Sequence, residues 1–336
     1  MAATTTRSEG AEGPSLTLFY PGPPRSVVAA PAEGRRLPDW LKVRPPGGEE
    51  YKRIKEMRTE RELATVCEEA QCPNVGECWG GGTATFMVMG DTCTRGCRFC
   101  AVETEQDGQA LDPMEPAKLA RSVDEMDLAY VVVTSVDRDD LPDQGASHVA
   151  TCIDTLHKEC PETKVEFLIP DFQGEEDLIS LVCDAQPHVL AHNIETVRRL
   201  TPEVRDDRAG YDQSLEVLRF ASEYAEKALD GPMYTKSSIM VGLGETEDEV
   251  RQAMDDLRAA GVDFLTIGQY LRPSESHIEV DDFVPPDLFD KYEEIGEEKG
   301  FKYVASGPLV RSSYRAGEYY ISNVIESGDT PDLPQP

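Results

Sequence analysis

Six of the nine cysteines in this 336-residue chain fall within 34 residues, and they fall in two threes. Cys67, Cys72 and Cys78 are spaced C-x4-C-x5-C, and Cys93, Cys97 and Cys100 are spaced C-x3-C-x2-C. Soft thiolates gathered in this way favour iron–sulfur clusters or zinc. A structural zinc site usually takes four ligands, often from paired C-x2-C knuckles. Three thiolates on a four-iron cluster leave one iron without a cysteine, open to a substrate, a cofactor or an unusual protein ligand. A zinc ribbon, or thiols that are merely buried, remains the plainer alternative. Either metal would pin the segments around residues 67–78 and 93–100 and so constrain the fold before any helix or strand is counted.

The glycines and prolines between the cysteines, Pro73, Gly76 and Gly96, read as turns. Residues 67–82 are therefore expected as a loop wrapped around its own metal. Upstream, residues 1–36 are rich in Gly, Pro, Ala and Thr and read as a disordered or loosely docked extension. Residues 37–82 form an anchoring segment together with the first cysteine group, with Trp40 expected to pack on the main domain. Residues 49–65, with Ile54, Met57 and Leu63 at helical spacing, predict a surface helix.

From residue 83 the pattern changes. Thr83–Met89 alternates as a strand, and apolar runs follow at 129–135, 164–169, 188–192, 236–241, 264–269 and 302–306. Amphipathic stretches at 116–127, 145–158, 175–185, 212–229, 246–260 and 286–299 separate them. Strand–helix repetition means parallel βαβ units. Six or seven units are too few for a closed eight-unit barrel. An open, partial (β/α)6 TIM-like barrel over residues 83–306 is expected, with a C-terminal segment at 307–325 and a disordered tail at 326–336. The second cysteine group follows the first barrel strand, at the edge where parallel α/β folds build active sites.

Acidic residues outnumber basic ones by 64 to 33, for a net charge of −31 spread along the chain. That charge repels nucleic-acid phosphates and suits a high-salt cytoplasm, where screening is strong. Clustered cysteines argue for a reducing compartment rather than a secreted disulfide scaffold. No apolar run of about 18 residues indicates a membrane span, and the N-terminus lacks the pattern of a signal peptide. The expected location is the cytoplasm, with neither nucleic acid nor membrane as partner.

The segment Cys93-Thr94-Arg95-Gly96-Cys97-Arg98-Phe99-Cys100 resembles the motif of the radical S-adenosylmethionine (SAM) superfamily. The preceding Cys67–Cys78 group, followed by Trp79, resembles one family within it, lipoyl synthase, and the likeness runs over roughly residues 40–320. The superfamily resemblance implies the partial barrel already expected. It also implies that Cys93, Cys97 and Cys100 hold a catalytic [4Fe–4S] cluster whose open iron binds SAM. Reductive cleavage of SAM would yield a 5′-deoxyadenosyl radical, able to take hydrogen from an unactivated C–H bond.

The family resemblance further implies a second, auxiliary [4Fe–4S] cluster on Cys67, Cys72 and Cys78 that is consumed as sulfur donor. Arg311-Ser312-Ser313-Tyr314 matches the family's R-S-S-Y motif, in which Ser313 would ligate the fourth iron. A hydroxyl is a hard, weak ligand for iron compared with thiolate, and suits a cluster that must open. Ser135 and Asp137, in Thr134–Leu141, and Asn193 and Glu195, in His192–Thr196, are the candidate SAM contacts. Ser238–Glu245 resembles the superfamily's G-x-I-x-G-x-x-E strand, with Ser238 at its first glycine and Gly242 as a backbone contact to adenine. Arg272 and His277, in the stretch Ile267–His277, are candidates for a substrate channel. Cys152, Cys160 and Cys183 read as core or surface thiols.

The activity so implied is insertion of two sulfur atoms into a protein-bound octanoyl chain. The carrier would be a lipoyl carrier domain or glycine-cleavage H protein, and the reductant ferredoxin or flavodoxin. Two rivals remain: another two-cluster radical SAM enzyme, such as a methylthiotransferase, and a zinc protein without catalysis.

Overall fold

The computed structural model describes residues 36–43, 46–80, 83–313, 321 and 325. The expectations for residues 1–35 and 326–336, and for Tyr314, lie outside them. A 3-10 turn at Asp39–Leu41 buries Leu41 and leaves Trp40 41% exposed, so the anchor is the leucine and not the tryptophan. Helix α1 (Glu49–Arg61) docks Ile54 and Met57 on the core. It ends before the expected residue 65, because Glu62 takes a left-handed conformation and its N–H closes back on Arg58 and Thr59. The chain then extends as β1 (Ala64–Thr65) and re-enters helix as α2 (Val66–Glu69) and α3 (Val75–Gly80). Cys67 and Cys78 are thus carried on two short helices, with Cys72 in the turn between them, rather than all on an open loop.

The main sheet starts with β2 (Thr85–Val88). A small two-stranded pair, β3 (Thr92–Cys93) and β4 (Glu103–Thr104), brackets the second cysteine group. The repeat then runs α4 (Glu115–Glu125), β5 (Tyr130–Ser135), α5 (Ala146–Glu159), β6 (Lys164–Leu168), α6 (Glu176–Asp184) and β7 (Val189–Ala191). After the short α7 (Thr201–Val204) it continues through α8 (Tyr211–Ala228), β8 (Tyr234–Val241), α9 (Glu247–Ala259), β9 (Phe264–Gln269), α10 (Pro286–Glu298) and β10 (Tyr303–Gly307).

The strand order is β1-β2-β5-β6-β7-β8-β9-β10. Seven strands run parallel, joined by six long helices, and β1 pairs antiparallel on the outer edge of β2. The order ends at β10 without returning to β1 or β2, so the barrel is open and partial, as the repeat count required. The strands are buried along nearly their whole length, as expected where helices cover one face and the barrel interior the other. The parallel register places the C-terminal ends of the strands along one rim, for example Val88 beside Ser135 and Val241 beside Gln269. That rim carries the site.

Candidate radical SAM and cluster site

A cavity of about 540 Å³ opens on this rim. Cys93, Cys97 and Cys100 line it from one side, and Cys72, Arg311, Ser312 and Ser313 from another. Of the other candidates, Ser135, Asp137, Asn193, Glu195 and Arg272 also line it. Cys67, Cys78 and Gly242 do not. Cys67 lies within electrostatic reach of Cys72, and Cys72 N–H bonds the Cys67 carbonyl at 3.0 Å. The N–H of Cys78 bonds the Asn74 carbonyl at 2.9 Å, so all three first-group cysteines belong to one turn system.

The second group sits on a loop strung between three elements. Thr94 donates its N–H to the Asp137 carbonyl at 3.0 Å, Gly96 to the Asp206 carboxylate at 2.8 Å, and Arg98 to the Val204 carbonyl at 2.9 Å. Arg95 inserts into the protein and anchors the loop. Its guanidinium donates twice to Asp139, at 2.9 and 2.8 Å, and once to Asp171 at 2.8 Å, with Asp137 at 3.4 Å. Burial alone would lower the Arg95 pKa, but its carboxylate partners win and hold it above the ordinary value. Burial works against ionised Asp139 and Asp171 too, yet Arg95 keeps both below the usual carboxylate range. Asp137 is different: burial pushes its carboxyl up to about 6 against the pull of Arg95.

The N-terminal and C-terminal parts meet at the rim. Asn74 donates its amide to the Leu309 carbonyl at 2.7 Å, tying the first cysteine group to residues 307–313. Gly268 at the end of β9 lets that segment lie flat on the sheet; a side-chain carbon there would stand 2.0 Å from the Val310 carbonyl oxygen. Arg311 donates to the Gln269 carbonyl at 3.2 Å and lies near Cys72, whose partial charge opposes the lowering of the Arg311 pKa by burial.

A family model described as the radical SAM superfamily matches residues 87–257. A second, the N-terminal domain of lipoyl synthase, matches residues 4–72. The lipoyl synthase of Myxococcus xanthus strain DK1622 is 58% identical over 294 residues, covering 88% of this chain and 97% of that protein. That of Halobacterium salinarum strain R1 is 56% identical over 299 residues, covering 88% and 94%. The mitochondrial lipoyl synthase of Branchiostoma floridae is 54% identical over 300 residues, covering 88% and 78%.

This chain belongs to the lipoyl synthase family. It is a radical SAM enzyme, with SAM and [4Fe–4S] clusters as its cofactors. Among the described residues of this lipoyl synthase no helix is long and apolar enough to cross a membrane. Nor do three His, Cys, Asp or Glu side chains there converge as on a single metal ion.

The thiols fit a cluster in their chemistry. Burial pushes Cys93 and Cys97 up to about 12 and Cys100 and Cys67 up to about 11, so without metal all four are neutral. A coordinating metal deprotonates a thiol outright. Backbone N–H groups are already aimed at two of the sulfurs: Arg95 N–H at Cys93 Sγ, 3.4 Å, and Asp206 N–H at Cys97 Sγ, 3.3 Å. Such donors favour thiolate over thiol and tune a cluster.

Two candidates have other neighbours than expected. Gly242 adopts φ +95°, and the space where its side chain would be is taken by Gln269 Nε2 at 2.1 Å and the Asp282 carbonyl at 2.5 Å. His277 donates or accepts at Ser274 Oγ, 2.7 Å, and bonds the Cys100 carbonyl through Nε2 at 2.9 Å; it braces the cysteine loop instead of lining the cavity. Glu195 holds a left-handed φ of 66° and accepts from Asn193 at 3.1 Å, and burial raises its pKa while Arg205 opposes.

Sequence reasoning missed Arg205. It lines the cavity and is 7% exposed, yet among the described residues it has no ion-pair partner and its Nε has no hydrogen bond. Glu195 and Asp137 act on it only from beyond contact distance, and a buried guanidinium with no carboxylate in contact is costly, so it marks a place for an anion. A single arginine after a four-residue helix carries no pattern that would have shown this.

Proposed function

We propose that this enzyme inserts two sulfur atoms, at carbons 6 and 8, into an octanoyl chain held on a lysine of a carrier protein. The observation that supports this best is the shared cavity. It brings members of both cysteine groups and Ser313 onto one enclosed space, as transfer of sulfur to a carbon radical requires.

On this reading Cys93, Cys97 and Cys100 hold one [4Fe–4S] cluster, and Cys67, Cys72, Cys78 and Ser313 hold the other, which is spent as substrate. When bound, the clusters and SAM supply the electron, the radical and the sulfur. The protein supplies position and dryness. Asn193 and Glu195 offer an amide and a carboxylate to the hydroxyl and amino groups of SAM, Ser135 offers an otherwise unpartnered hydroxyl, and Arg205 faces its carboxylate. Asp137 sits between Arg95 and Cys93, 3.7 Å from the sulfur, and keeps the loop in register. Met87, Val136 and Leu168 give the cavity apolar wall for an alkyl chain.

The carrier is a lipoyl carrier domain or glycine-cleavage H protein, the reductant a ferredoxin or flavodoxin, and the compartment the cytoplasm. The test is anaerobic incubation of reconstituted enzyme with SAM, dithionite and an octanoylated peptide, read by mass spectrometry. A dithiolane product is expected; SAM cleavage with unmodified octanoyl peptide would overturn the proposal.

A further inference from the structure

Three buried side chains, of which His192 and Arg205 line the cavity, form a chain of hydrogen bonds. His192, after β7, approaches the Ile169 carbonyl through Nδ1 at 2.9 Å and Ser214 Oγ through Nε2 at 2.9 Å. Ser214, in the first turn of α8, accepts from Arg205 Nη1 at 2.8 Å. A carbonyl only accepts, so His192 Nδ1 carries the hydrogen. Arginine only donates, and among the described residues the serine hydrogen has no other acceptor than His192 Nε2, which is then bare. The imidazole so placed is neutral, as burial also favours, lowering its pKa to about 4. Ser214 is fully buried and His192 is 4% exposed, so water does not compete for these bonds.

We infer that His192 and Ser214 are positioning residues: they hold the Arg205 guanidinium toward the cavity, where it binds the carboxylate of SAM. The chain ties the ends of β6, β7 and α7, which contribute to the cavity rim, to the start of α8 behind it. It gives the guanidinium a neutral acceptor instead of a carboxylate. A carboxylate at Ser214 would cancel the positive charge; a hydroxyl orients it and leaves the charge for an incoming anion. The inference rests on the reading of Arg205 given above.

The test uses cluster-loaded enzyme and equilibrium binding of two ligands, SAM and decarboxylated SAM, which lacks the carboxylate. Ser214→Ala is expected to weaken SAM by about tenfold, the usual loss when a buried charged donor is left unpartnered. It should leave decarboxylated SAM within about twofold. Ser214→Thr, which keeps the hydroxyl, should restore SAM affinity. Equal weakening of both ligands by Ser214→Ala, or no weakening of either, overturns the inference.

Nitrogen-15 histidine spectra of the wild-type protein read the chain without any ligand, and with only five histidines the His192 signal is found by difference against His192→Gln. A neutral ring protonated at Nδ1 is expected, and a ring protonated at Nε2, or at both nitrogens, at neutral pH overturns the inference even if Ser214→Ala fails to fold. Wild-type enzyme that binds both ligands alike while showing the expected ring would instead refute the reading of Arg205 as the carboxylate site.

Discussion

The Gly268→Ala substitution tests how the two ends of the chain are brought together. Its new side-chain carbon would stand 2.0 Å from the Val310 oxygen, 3.0 Å from the Val310 carbonyl carbon and 3.3 Å from Arg311 Nη1. The first two are backbone atoms and have no rotamer in which to escape. The segment from Gly307 to Ser313 must lift by roughly 1 Å, at a stability cost of about 1–3 kcal/mol. That segment carries Arg311 and Ser313 to the cavity, whereas Cys93, Cys97 and Cys100 are held elsewhere, by Asp137, Val204 and Asp206. A displacement of that size in a reacting group costs about 100-fold.

The assay counts lipoyl product and 5′-deoxyadenosine from the same anaerobic reaction. Product per SAM cleaved should fall about 100-fold, with SAM cleavage itself reduced only a few-fold. Gly231→Ala is the control, since a carbon there meets nothing within 4 Å. Wild-type coupling in Gly268→Ala, or equal loss of both activities, would refute the idea that this segment serves sulfur transfer alone.

Arg95→Met removes the buried cation shared by Asp137, Asp139 and Asp171, leaving Asp139 its pair with Arg208, and should destabilise cluster-free protein by about 3–5 kcal/mol, read as a denaturant midpoint; a loss below about 1 kcal/mol would show the network to be dispensable. Burial lowers the His192 pKa from 6.5 to about 4. A depressed histidine lends stability that is present above its unfolded pKa and lost as pH falls from about 6.5 toward 4. Acidifying from pH 8 to 5 should thus remove about 2 kcal/mol more from the wild type than from His192→Gln, by thermal melting. Cys72→Ala should keep SAM cleavage and lose lipoyl formation, as should Cys67→Ala and Cys78→Ala; lipoyl product from any of the three would count against their group as sulfur source.

The barrel was legible because its strands and helices are long enough to show their periods. The six helices and seven strands of the barrel lie within two residues of the expected bounds. The N-terminal segment was less legible. Strand β1 is two residues long and exists only because the edge of β2 is there to pair with, and α2 is a single turn against β2 and α3 a short helix packed on α1, neither of them self-standing.

The cysteine groups announced themselves by spacing, and the structure places four of the six thiols on the cavity. Gly242 and His277, by contrast, have neighbours the sequence did not show. Sequence shows that a glycine grants space but not which neighbour takes it, and here Gln269 and the Asp282 carbonyl do. Arg205 stayed hidden for the opposite reason: what sets it apart is that no carboxylate touches it among the described residues, which only three dimensions reveal.

The most direct measurement of the central claim is iron and sulfide content of anaerobically prepared enzyme before and after a single turnover with octanoylated peptide. The account predicts about eight irons per chain beforehand. It predicts about four afterward, with two of the spent cluster's four sulfides recovered in the lipoyl product and the other two released. A chain that begins with about four irons, or one that forms product while its iron and sulfide stay constant, would contradict it.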